Sequence, residues 1–299
     1  MVAVEARGVG VLVARTPATK PLPAPHRTDT WRANRPVRRL SHLSRARPRE
    51  SADHRMTLVA VQAPARPRVP AIAATAVVVV ALVTVNFADY LMRDTLWLGP
   101  VAAVALLAFA RWSGLTWSQL GLHRDRHWSG MRWGLGAIAA VAAVYLVGVL
   151  VPLTRTAFLD ARYHLGVHGA LLSAFVIIPT GTILLEEVAF RSVLWGMLAR
   201  HATTWRVLLI SSALFGLWHI LPSLHLATAN DGVAHAVRGA GAAAGVLVVA
   251  GIVVFTALGG VVAGELRRRS GSVLASAGMH WATNSFGVLF GLVAWRLAG

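Results

Sequence analysis

The sequence has no cysteine, one lysine among its 29 basic residues, and only 12 acidic residues in 299. The missing thiols exclude a disulfide scaffold, a cysteine nucleophile and thiolate metal sites. Charged residues make up 14% of the chain, against roughly a quarter in soluble domains. Hydrophobic residues reach 56%, which excludes disorder throughout and points to a polytopic membrane protein. Mean hydropathy is +0.60, yet the net charge is +17. The arginine excess and abundant alanine suggest a high-GC bacterial coding region.

The charge is concentrated at one end. Residues 1–70 hold 14 Lys/Arg against 4 Asp/Glu, and the remaining residues hold 15 against 8. The first 70 are also rich in Arg-Pro pairs, as at Arg35-Pro36 and Arg47-Pro48. Such a composition buries too little apolar surface to offset its ordering entropy. A disordered basic tail over 1–70 is expected, followed by a transmembrane domain over 71–299. Trp31 is the tail's only aromatic residue, which disfavours nucleic acid as a partner and favours anionic lipid on the cytoplasmic leaflet. Met56 offers a later translation start, and the patch Val9–Val13 is too short for a signal peptide.

Seven apolar runs follow, over 71–91, 96–110, 133–153, 169–200, 207–221, 242–264 and 273–297. Pro179 and Gly181 interrupt the long fourth run, so an eighth span arises if it divides. The expected fold is an all-α transmembrane bundle of seven or eight spans. With the tail cytoplasmic, that side's loops also collect Arg111, Arg124, Arg126, Arg132, Arg200, Arg206 and Arg267–Arg269. The opposite side receives Arg93, Arg155, Arg162, Arg238 and Arg296. This bias fixes a cytoplasmic N-terminus.

Ionisable groups within spans are costly, so each is a candidate functional site. Glu186-Glu187-Val188-Ala189-Phe190-Arg191 puts two carboxylates in an apolar helix. Arg191 lies one turn beyond Glu187 and can neutralise it. Glu186 points about 100° away with no local cation, and so stays free to act as a general base. Phe215-Gly216-Leu217-Trp218-His219 supplies a histidine, and His280-Trp281-Ala282-Thr283-Asn284 puts a histidine and an asparagine on one helix face. In isolation, such a histidine or His/Asn pair is most often structural or interhelical glue. Asp89 is read as an interfacial carboxylate near Arg93, and Trp195, Trp218 and Trp281 as packing or interfacial aromatics.

Counting about 1.5 Å per residue from the cytoplasmic ends brings Glu186, His219, His280 and Asn284 to similar depths. No serine or cysteine paired with a base accompanies them, so direct attack by water is the available chemistry. Glu186 and His219 can activate the water while His280 and Asn284 donate to the oxyanion. Alternatively, Glu186, His219 and His280 hold Zn²⁺ with one position open. Either route is hydrolysis.

The ordered trio Glu-Glu-x-x-x-Arg, Phe-x-x-x-His and His-x-x-x-Asn resembles the CAAX-protease and bacteriocin-processing (CPBP) family, relatives of the type II CAAX prenyl endopeptidases. The resemblance implies an α-helical intramembrane endopeptidase acting on a membrane-associated protein or peptide. By it, Glu186 and His219 match the water-activating pair and His280 with Asn284 the oxyanion side. Glu187, Arg191 and Phe215 match accompanying positions. The family has been described both as metal-dependent and as glutamate-dependent without metal. The sequence lacks His-Glu-x-x-His, Gly-x-Gly-Asp and Gly-x-Ser-Gly, the signatures of other intramembrane proteases. A non-catalytic scaffold or bacteriocin self-immunity protein is the rival reading, and a transporter is the third.

Overall fold

A computed structural model describes residues 69–92, 96–224 and 226–298. The expected tail to residue 68, Arg93 and His225 lie outside the described residues. Each apolar run forms a helix: α1 (Ala71–Met92), α2 (Leu98–Trp112), α3 (His127–Leu150), α4 (Val167–Leu198), α5 (Thr204–Trp218), α6 (Ala244–Ser270) and α7 (Val273–Ala298). The described residues contain no β-strand beyond one isolated bridge, Asp160 to Asn230.

Four helical segments are long and apolar enough to cross a membrane: Ala71–Met92, Arg124–Leu150, Val167–Leu198 and Arg238–Ser270. Helices α2 and α5 are apolar but short, at 15 residues each. The 26-residue α7 has the length, but His280, Asn284 and its serines dilute its hydropathy. The fourth run does not divide. It is one continuous helical segment of 32 residues.

That segment is not a simple α-helix. It winds as a π-helix over Ser173–Ile183 and again over Glu187–Leu194, with a short α turn between. The leucine amide at 184 donates to the Pro179 carbonyl five residues back, the π spacing. Every residue from Leu185 to Leu198 is buried, because α1, α2, α5, α6 and α7 all pack around this stretch. A polar motif can sit there only if its side chains and irregular backbone find partners inside the protein.

One end of the bundle is tied together by main-chain acceptors. Arg200 Nη1 donates to the Ser113 carbonyl at 3.4 Å, and Arg267 Nη2 to the Gln119 carbonyl at 3.1 Å. The Val273 amide donates to the Gly121 carbonyl at 3.1 Å. Gly271 closes α6 in the left-handed region (φ 71°) and reverses the chain directly into α7. At the other end, Arg155 reaches the carbonyls of Val149 and Leu150, while Asp160 binds Arg162 at 2.7 Å and pairs with Asn230.

Candidate active site

Glu186 ends the short α turn of α4 and Glu187 opens its second π stretch; the two meet different neighbours, and both carboxylates are buried. Glu187 Oε1 lies 3.4 Å from Arg191 Nη1, the ion pair expected from their spacing. It also accepts from His280 Nδ1 at 3.0 Å, across from α7. Glu187 therefore does more than pair with arginine: it orients the imidazole of His280.

Glu186 meets a different set. Its Oε1 accepts from the indole Nε1 of Trp218 at 3.1 Å. Its Oε2 has no hydrogen-bond partner and lies 3.5 Å from His280 Nε2 and 3.9 Å from His219 Nε2. The Nδ1 of His219 is 2.8 Å from the Phe215 carbonyl. A carbonyl only accepts, so that nitrogen carries the proton and Nε2 is left as the acceptor in the neutral ring. The same logic holds for His280, whose Nδ1 faces a carboxylate. Both rings thus turn Nε2 towards one unpartnered carboxylate oxygen.

Phe215 forms the floor. The Arg191 guanidinium carbon sits 3.8 Å from its ring centroid, and the rings of His219 and His280 meet it edge-on at 4.7 and 5.8 Å. Asn284, one turn beyond His280, is half-buried and makes no hydrogen bond among the described residues. Glu186, His219 and His280 are brought together directly. Asn284 shares a helix face with His280 alone, and among the described residues no hydrogen bond joins its side chain to the other three.

Glu, His and His are donor types that Zn²⁺ accepts, and each histidine already has an outer partner on Nδ1. Among the described residues, however, no three His, Asp or Glu side chains form a ready metal-ligand group. The three side chains would have to shift to close around an ion.

Several contributors escape a reading of the sequence. Trp218, expected to be a packing aromatic, is a hydrogen-bond donor to Glu186, and its carbonyl in turn accepts from Asn86 Nδ2 at 2.7 Å. Trp281 donates to the Ala174 carbonyl at 2.9 Å, whereas Trp195 is buried in the core as expected. Arg267, expected only to set topology, is buried, and its Nε donates to the Arg191 carbonyl at 3.1 Å. Ser211 Oγ donates to the neighbouring Phe190 carbonyl at 3.1 Å. Both acceptors lie in the second π turn, where side chains from α5 and α6 supply donors to the main chain. An indole or arginine at these positions gives no sequence signal that separates it from packing or topology.

Beside the site, α1 and α5 enclose an apolar cavity of about 270 Å³. Trp218 both lines it and donates to Glu186, and Phe190 lines it and meets the Trp218 ring edge-on at 5.5 Å.

The family model for type II CAAX prenyl endopeptidase Rce1-like proteins matches residues 168–286, a stretch that contains all three motifs. The match supports membership of the CPBP family, and the Rce1-like family is a protease family. No curated protein and no solved structure matches the chain.

Proposed function

We propose that the chain is a multi-pass intramembrane endopeptidase that hydrolyses a peptide bond in a membrane-associated protein or peptide. The observation that carries this is the unpartnered, buried Glu186 Oε2 facing Nε2 of both His219 and His280. A water seated among these three atoms loses a proton to Glu186 as its oxygen attacks the scissile carbonyl carbon. His219, fixed by Phe215, accepts a hydrogen bond from that water and aims it. The carbonyl oxygen becomes an oxyanion, for which the donors are the Asn284 amide and Nε2–H of His280, whose ring takes this second proton from solvent before the attack and is balanced by Glu187. Glu186 then returns its proton to the leaving amine, and the C–N bond breaks. Water enters and two peptide ends leave.

Zn²⁺ held by Glu186, His219 and His280 is the alternative way to activate the water. Chelation followed by metal re-addition separates the two routes. The apolar cavity next to Trp218 suits an apolar part of the substrate. The arginine distribution supports a cytoplasmic N-terminus in a cell membrane, the seven undivided apolar runs support seven crossings, and the arginine and alanine excess supports a bacterial origin.

The test is cleavage of a membrane-tethered reporter by purified, monodisperse protein. Glu186→Gln should lose at least ~10²-fold, the contribution of a general base, and still insert. Asn284→Ala should lose about 10–10³-fold, since His280 remains as a donor. Wild-type turnover in well-folded Glu186→Gln would leave the scaffold or self-immunity reading in place.

A further inference from the structure

Proline has no N–H, so in an i→i+5 winding Pro179 leaves the carbonyl five residues earlier without its main-chain donor. That carbonyl belongs to Ala174, which is fully buried. Two side chains of α7 converge on it: Trp281 Nε1 at 2.9 Å and Ser285 Oγ at 2.8 Å. Both lone pairs are thereby used, and both donors come from the helix that carries His280 and Asn284. Trp281 directly follows His280, and Ser285 directly follows Asn284.

We propose that Trp281 and Ser285 are positioning residues for hydrolysis: through the Ala174 carbonyl that Pro179 leaves open, they set the position of α7 and hence of His280 and Asn284 relative to Glu186. The interruption in the fourth run is then a docking point for the oxyanion-side helix. Tyr145 Oη on α3 supports α7 from its other side by donating to the Thr283 carbonyl at 2.9 Å, so the helix is gripped next to both active residues. An orphaned carbonyl in an apolar bundle is costly, which makes this contact selective for one placement of α7. A misplacement of the order of 1 Å at a reacting group costs up to about 10²-fold in rate.

This inference rests on the endopeptidase reading, so its test pairs activity with a readout that does not need turnover. Trp281→Phe with Ser285→Ala removes both donors and keeps most of the packing. We expect kcat to fall about 10–10²-fold with KM nearly unchanged, and amide exchange over residues 278–286 to speed up. Adding Pro179→Ala returns an N–H at position 179 that can reach the Ala174 carbonyl in the same winding. Because that bond does not come from α7, the triple variant should regain stability without regaining kcat. Trp281→Phe alone, with Ser285 still donating, should lose less rate than the double variant. Unchanged kcat and unchanged exchange in the double variant would overturn the proposal, as would full recovery of kcat by Pro179→Ala. If wild type itself cleaves nothing while exchange over α7 responds as described, the endopeptidase reading fails and the anchoring of α7 stands.

Discussion

Glu187 Oε1 is shared between Arg191 Nη1 at 3.4 Å and His280 Nδ1 at 3.0 Å. A single oxygen therefore joins the charge balance of α4 to the ring orientation on α7. Glu187→Gln keeps the volume and removes the charge that holds the His280 tautomer. By analogy with the orienting carboxylate of hydrolase triads, turnover should fall at least ~10²-fold. Reporter cleavage with a correctly inserted variant checks this, and an active Glu187→Gln would free His280 from dependence on it.

The same sharing makes Arg191 the more dangerous residue to remove. Arg191→Ala leaves Glu187 in a buried site without its cation, a loss of about 3–5 kcal/mol when a buried pair is broken. Glu186→Gln removes a charge and leaves no new one unpaired. Thermal unfolding in detergent should therefore rank Arg191→Ala well below Glu186→Gln, and equal melting temperatures would contradict this division of roles.

Trp218 separates the two oxygens of Glu186 by binding Oε1 and leaving Oε2 to the histidines. Trp218→Phe keeps the ring and deletes the N–H. The carboxylate is then free to rotate, and kcat should drop about tenfold, near the value of one hydrogen bond to a charged group. A variant with wild-type kcat would assign the indole to packing alone.

Adjacent arginines on α6 should behave differently. Arg267 donates to the carbonyls of Arg191 and Gln119, whereas the exposed Arg268 pairs with the half-buried Glu265 at 2.6 Å. Arg267→Ala orphans two acceptors, at about 1–3 kcal/mol each. Arg268→Ala loses a surface pair and should stay within about 1 kcal/mol of wild type. Melting temperatures of the two variants decide between a structural and a purely topological run.

Asp160 titrates at the opposite end. Burial pushes its carboxyl upward, but hydrogen bonds and charge from Arg162, with help from Asn230, outweigh this and hold it below the usual carboxylate range. A depressed folded value means that its stabilisation is complete above the unfolded pKa of about 4 and is lost as pH falls through the folded value. Exchange over 156–164 should quicken in that acid window in wild type and be fast already at neutral pH in Asp160→Asn. A pH-independent difference would remove Asp160 from the latch.

The helical class and the positions of the seven longest helical segments follow from the apolar runs, because a long apolar helix needs no partner to be recognisable. The Glu187–Arg191 pair was likewise legible, since it lies within one element. What a linear reading leaves open is what crosses between elements. The donors on Glu186 and Ala174 are indoles whose N–H looks like any buried aromatic. Arg267 sits in a run whose other two members face outward. The π winding is also invisible in composition, although Pro179 marks where it is needed. The number of crossings stayed unresolved because α2, α5 and α7 combine hydrophobicity with short length or polar content.

The strapping of one bundle end by Arg200, Arg267 and the Val273 amide has a consequence for where the site opens. A cap bonded through its main chain does not part readily, so the open side of the carboxylate cluster lies elsewhere. Exposure rises from 6% at the Glu186 side chain to 10% at His280 and 20% at His219, and the gradient points outwards past the end of α5. The open edge of the cluster therefore lies at His219, whose turn continues into the short helix Ile220–Ser223.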